Sequence, residues 1–212
     1  MTILLCDPRV SAVPVIDCGE PLVRLPESFG PARALVRLGL ARRLAAANLR
    51  LPTGIALRVV EGHRRAEEQR AIIARYRAEV LDAHPSIDSA EADRLTSRFV
   101  APLEVAPHVA GAAVDLTLVD RSGRELDMGT RIDATPEQSD GACFFASERI
   151  EEEARTNRGL LADALSGAGL VNYPTEWWHW SYGDRYWALA TGAGSGVYGP
   201  VAAGDLRAVR AA

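Results

Sequence analysis

The run Val105-Ala106-Pro107-His108-Val109-Ala110-Gly111-Ala112-Ala113-Val114-Asp115-Leu116-Thr117-Leu118-Val119-Asp120 decides the architecture of this chain. From Ala112 onward it alternates with the period of a strand. Ala113, Asp115, Thr117 and Val119 fall on one face, and Val114, Leu116 and Leu118 on the other. An apolar face backed by one that carries a carboxylate is what a sheet lining a cleft presents. His108 and Asp115 are an odd number of residues apart, which would place them on opposite faces of a regular strand. His108 is therefore expected on a bend ahead of the strand, and Pro107 and Gly111 supply the means to make one.

Upstream, residues 55–60 read as a mostly buried strand after the turn Pro52-Thr53-Gly54. That strand runs into Glu61-Gly62-His63-Arg64-Arg65, and a helix is expected over 66–83 with Gln69, Ile72, Ile73, Tyr76 and Val80 as its inner stripe. His84-Pro85 ends it. Ser86 or Ser89 is expected to cap a shorter helix reaching Ser97. Gly30-Pro31 is expected to open an earlier helix to Asn48, with Leu35, Leu38, Ala41 and Ala45 at helical spacing. Irregular prolines (Pro8, Pro14, Pro21, Pro26) predict an extended N-terminal arm over residues 1–28.

Downstream, Arg121-Ser122-Gly123-Arg124 is a hairpin-like turn, and a loop rich in Asp, Gly, Thr and Pro continues to Ala146. Irregular backbone of that length inside a domain is more often a binding loop than a bare connection. Ser147 is expected to cap a helix with Ile150, Ala154, Leu161 and Leu165 inward, stopped by Gly167 and Gly169. Val171-Asn172-Tyr173-Pro174 leads into a tryptophan-rich segment that reads as a strand ending near Gly183, and the tail is expected to fray over 204–212. The fold class that follows is α+β: a single domain with a central, mainly antiparallel sheet flanked by helices.

Composition agrees with one globular core, at 212 residues, 48% hydrophobic and 25% charged. A net charge of -4 counts against a nucleic-acid partner, whose footprint would be basic. No apolar run is long enough for a membrane span. Cys6, Cys18 and Cys143 form no Cys-x-x-Cys pair, and the N-terminus lacks the pattern of a signal peptide. A cytoplasmic protein with reduced thiols is expected. Composition and motifs leave the oligomeric state open.

The second dense stretch is Thr175-Glu176-Trp177-Trp178-His179-Trp180, which holds three of the four tryptophans and one of the four histidines. With His108 and Asp115 it offers two imidazoles and a carboxylate, a ligand set that leaves one position open on a catalytic zinc ion. Each part also has a plain structural reading. His-x6-Asp pairs arise by chance, Glu176 and His179 could be a buried hydrogen-bonded pair, and the tryptophans are more simply packing. The His-Glu-x-x-His zinc helix is absent, and spacing alone does not distinguish Glu176 as a ligand from Glu176 as a base.

His108-x-x-Gly111-x-Ala113-x-Asp115 followed by Glu176-x-Trp178-His179 resembles the zinc signature of the VanX-type D-alanyl-D-alanine dipeptidases. These are relatives of the D,D-carboxypeptidases and of the hedgehog signalling domain. Leu126-Asp127-Met128-Gly129-Thr130 and the segment 172–180 also resemble the dipeptidase branch, and the similarity spans residues 15–200. The resemblance implies a hedgehog-like D,D-peptidase fold and one Zn2+ per chain, held by His108, Asp115 and His179 with water in the fourth position. It implies Glu176 as general base and Arg64 as the oxyanion stabiliser; Asp133 is a candidate anchor for the ammonium group of a small D,D-dipeptide, with a solvated loop aspartate as its plain reading. Recycling of cell-wall dipeptide, or its depletion in antibiotic resistance, would be the setting. His63 and His84 are read as structural.

Two positions depart from the family pattern. Ala106 stands where serine is usual, and His63-Arg64-Arg65 where Tyr-Arg-Pro is usual. Both bear on substrate contacts rather than on zinc. A D,D-carboxypeptidase acting on longer peptides and a zinc-bearing binding module without turnover are the competing readings.

Overall fold

Strand β4 (Ala113–Val119) lies inside a four-stranded sheet, in a computed structural model that describes residues 2–201 and 210–211. Its neighbours are β3 (Ala56–Glu61) and β6 (His179–Ser181), and β5 (Val171–Asn172) completes the order β3-β4-β6-β5, antiparallel throughout. Every residue of β4 is buried. Val114, Leu116 and Leu118 join a core with Leu57 and Val59 of β3, Leu40 and Leu44 of α2 (Leu38–Asn48), and Leu161 and Leu165 of α5 (Glu152–Gly167). The apolar face is thus sealed by two helices, and the face carrying Asp115 is left to form the cavity wall.

A smaller sheet crosses the N-terminal region. It pairs β1 (Leu22–Arg24) antiparallel with β2 (Leu35–Arg37) and parallel with β7 (Arg210–Ala211). The helix expected from Gly30 therefore starts only at Leu38. Leu35 and Arg37 are committed on both sides: they pair with β1, while the Leu35 carbonyl accepts from His63 N and Arg37 N donates to the Gly111 carbonyl. Tertiary pairing overrides helical periodicity here. The arm over 1–28 is not wholly extended either. Pro8–Ala12 form the short helix α1, opened by Asp7, which accepts from Arg9 N.

Helix α3 (Ala66–Ala83) occupies the expected span, ended at His84. The cap of α4 (Ser89–Thr96) is Asp88 rather than a serine, its carboxylate accepting from Glu91 N at 2.8 Å. The α5 helix begins at Glu152, beyond Ser147, whose hydroxyl instead accepts from Arg149 N. The tryptophan-rich segment is a turn followed by strand β6, not one continuous strand, and α6 (Arg185–Thr191) follows it. Of the tail expected to fray, 204–209 and 212 lie outside the described residues, and Arg210–Ala211 are the strand β7. Among the described residues no helix is long and apolar enough to cross a membrane.

Candidate metal centre and active site

The sheet register builds half of the site. Glu61 of β3 stands opposite Asp115 of β4, and Asp115 stands opposite His179 of β6, in one row across three strands. A bulge produces this row: Val59 pairs with Leu116 but Glu61 with Asp115, so Val60 is the extra residue and turns outward, 43% exposed. Without it Val60 would face Asp115. Bulges re-aim side chains in this way beside active sites.

His108 arrives from the bend predicted for it. Val109 N donates to the Ala106 carbonyl and Gly111 N to the His108 carbonyl, with Gly111 at φ +64, the left-handed region where glycine is unstrained. His108 Nδ1 lies 2.7 Å from the Gly62 carbonyl. A carbonyl only accepts, so Nδ1 carries the proton and Nε2 presents its lone pair inward. Gly62 is required by close approach, because a Cβ there would sit 2.4 Å from the Leu35 carbonyl oxygen.

The three buried donors converge. His108 Nε2 is 3.1 Å from His179 Nδ1 and 3.4 Å from Asp115 Oδ2, and His179 Nδ1 is 3.1 Å from Asp115 Oδ1. One ligand atom from each residue lies within 4.8 Å of the others. Two imidazole nitrogens and a carboxylate aimed at a common point are all electron-pair donors, an arrangement a cation satisfies and a single proton does not. Burial opposes charge on all three. The imidazoles nevertheless hold the Asp115 carboxyl well below the usual carboxylate range, and burial pushes His179 down. Against burial, Asp115 pushes His108 up, so this point favours positive charge. The donor set fits zinc with an open position.

Glu176 sits in the turn between β5 and β6. Its N donates to the Tyr173 carbonyl and its own carbonyl accepts from His179 N. Asn172 Nδ2 lies 2.9 Å from both the Glu176 and His179 carbonyls and pins the turn. The Glu176 carboxylate comes within 3.7 Å of His179 Nδ1. Burial, with Asp115 and Asp133 nearby, pushes its carboxyl well above the ordinary range. The tryptophans pack as the plain reading held: Trp177, Trp178 and Trp180 are each 1% exposed.

Arg64 is gripped at both carboxylate oxygens of Glu61, Nε to Oε1 at 2.7 Å and Nη2 to Oε2 at 2.6 Å, with Nη1 donating to Gln69 Oε1 at 2.8 Å. Burial opposes its charge, but Glu61, Asp115 and Glu176 outweigh that and push the guanidinium up. Asp133 holds a left-handed conformation, φ +62, on the loop across from the sheet. Burial, then Asp115 and Glu61, push its carboxyl up. All six predicted site residues line one cavity of about 320 Å³, at the small end of ligand pockets. Ala106 also lines it, while His63 does not and His84 lies at the end of α3.

Sequence reasoning missed Glu61, Gln69 and Asn172. Glu61-x-x-Arg64 and a glutamine within the inward stripe of α3 were the available signals, whereas nothing in the sequence marks Asn172 as the pin of the Glu176 turn.

The chain is 29% identical over 221 residues to a D-alanyl-D-alanine dipeptidase of Synechocystis, covering 84% of this chain and 87% of that protein. It is 40% identical over 72 residues to a D-alanyl-D-alanine dipeptidase of Escherichia coli, covering 34% of this chain and 35% of that protein. Among solved structures it is similar to the LdcB LD-carboxypeptidase, at TM-score 0.43 and 18% identity, covering 93% of this chain and 81% of that one. A vancomycin-resistance D,D-pentapeptidase, VanY in complex with Zn(II), matches at TM-score 0.42 and 16% identity, over 76% of this chain and 85% of that one. The family model described as D-Ala-D-Ala dipeptidase matches residues 31–191, three quarters of the length, so the chain belongs to that family of M15 peptidases and is a zinc metallopeptidase.

Proposed function

We propose that the chain hydrolyses the peptide bond of D-alanyl-D-alanine or a closely similar D,D-dipeptide. The observation that carries the proposal is the convergence of His108, Asp115 and His179 with Glu176 beside them at the wall of one small cavity. His108, Asp115 and His179 would hold Zn2+, which supplies Lewis-acid activation of water when bound. Glu176 accepts the proton of the attacking water and passes it to the leaving amine, a role suited to a carboxyl whose pKa is raised by burial. Arg64 turns its remaining N–H donors to the oxyanion that develops on the scissile carbonyl. Asp133 accepts from the substrate ammonium. The free thiols of Cys6, Cys18 and Cys143 suit a reducing compartment, and we place the activity in the cytoplasm.

The test is release of D-alanine from D-Ala-D-Ala by the purified chain, with chelator, with zinc restored, and with Glu176→Ala as control. Chelator-sensitive release absent from the variant is expected. Zinc bound at one per chain without turnover of this dipeptide would sink the substrate assignment.

A further inference from the structure

We propose that the Glu61–Arg64 pair keeps the metal site open: by occupying both oxygens of Glu61, Arg64 prevents that carboxylate from becoming a fourth protein ligand beside Asp115. The inference rests on the ligand set proposed above and adds a role for a residue outside it.

The bulge in β3 puts Glu61 directly opposite Asp115, where facing side chains on paired strands have Cβ atoms about 5 Å apart. Glutamate has one more methylene than its neighbour and so has reach toward whatever Asp115 holds. Its charge is felt at His108, Asp133 and Glu176, which surround the same point. A fourth protein donor would convert a three-ligand site, open to water and substrate, into the closed kind found in structural zinc centres.

Glu61 is withheld from that position by a specific device. Arg64 takes its two oxygens at 2.7 and 2.6 Å, and a bidentate fork of this kind fixes the plane of the carboxylate on the guanidinium. The arginine is itself fixed. Its backbone N donates to the His108 carbonyl, and its Nη1 is anchored on Gln69, a buried side chain whose Nε2 donates to the Ala101 carbonyl at 2.8 Å. Glu61 is therefore a positioning residue in two senses: it aims Arg64 at the cavity, and it is held off the metal by the residue it aims.

The experiment loads the wild type, Arg64→Ala, Glu61→Gln and the double variant with Co2+ and records visible absorption, which follows ligand number and geometry independently of turnover. Arg64→Ala is expected to shift the cobalt bands as Glu61 enters, with zinc affinity rising in chelator competition. The double variant is expected to regain the wild-type spectrum and affinity. A spectrum unmoved by Arg64→Ala overturns the role of Glu61, even if affinity rises through the lost positive charge alone. Arg64→Lys, whose single amine cannot span both oxygens, gives the same reading if the alanine variant does not fold. His179→Ala tests the underlying ligand set separately: unaltered cobalt bands in that variant would overturn the set itself.

Discussion

The sheet wall of the cavity and the loop wall facing it are held by different physics. On the sheet wall Glu61, Asp115 and His179 ride on paired backbone, and their order across the strands is fixed by register. The loop wall carries Asp133, and after the single bridge Val119–Glu125 it has no ladder of its own. Much of its shape comes from one side chain of α5. Arg158, 1% exposed, donates from Nε and Nη2 to the Met128 carbonyl at 2.8 and 2.6 Å, from Nη2 to Ala142 at 2.9 Å, and from Nη1 to Phe144 at 2.7 Å. Asn157 adds a bond to the Asp127 carbonyl, and Trp177 joins the walls by donating from Nε1 to Thr130. Burial pushes Arg158 down to about 10, which leaves it charged at neutral pH with only carbonyls as hydrogen-bond acceptors. A ladder repeats one bond pattern along paired strands, whereas this loop joins local turns to one guanidinium that gathers three of its carbonyls.

The comparison can be broken most forcefully on the sheet wall. Glu176→Gln keeps the shape of the turn but removes the proton acceptor, and a loss of about 10³ in kcat with zinc content unchanged is expected. Loss of zinc together with activity would make Glu176 a ligand instead. On the loop wall, Arg158→Met strips several carbonyls of a charged donor. It should cost about 3 kcal/mol in urea unfolding and raise KM by displacing Asp133. A cost under about 1 kcal/mol would show that the loop is held by something other than this arginine.

A pH experiment sharpens the sheet side. Asp184 follows β6 and caps α6, accepting from Trp187 N at 2.9 Å and from Ser181 Oγ at 3.0 Å, and burial pushes its carboxyl up to about 6 from 3.8. The folded state thus binds this proton more tightly than the unfolded chain. The resulting stability is fully present below the unfolded value and is lost as pH rises through about 6. The wild type should lose about 2 kcal/mol relative to Asp184→Asn between pH 4 and pH 7. Parallel stability curves for the two proteins would refute the shift. The smallest effect expected is Asp133→Asn, about a tenfold rise in KM for the dipeptide with kcat nearly unchanged, worth about 1.4 kcal/mol. An equal fall in kcat would place Asp133 in the chemical step.

The same contrast explains what could be read in advance. The alternation of 113–119 exposed the cavity strand, and an odd spacing required the bend that carries His108. The stripe from Gln69 to Val80 located α3. Periodicity misled at Leu35, where a helical pattern yields to strand pairing with β1, and at Ser147 and Ser86, where the chain offers a capping residue that the helix does not use. Local pattern carries information about faces, while start points depend on which backbone groups a distant segment claims.

By itself the sequence determined the α+β class and the cavity strand, because burial of alternating faces leaves few other arrangements, whereas His108, Asp115 and His179 were singled out as metal ligands by their resemblance to the dipeptidase signature. Only the tertiary structure decided that Glu61 stands beside Asp115 with both oxygens taken by Arg64, that Asn172 pins the Glu176 turn, and that Arg158 shapes the facing loop. Each of these depends on a bulge or on a side chain meeting the carbonyl of a remote segment, and such meetings leave no periodic trace along the chain.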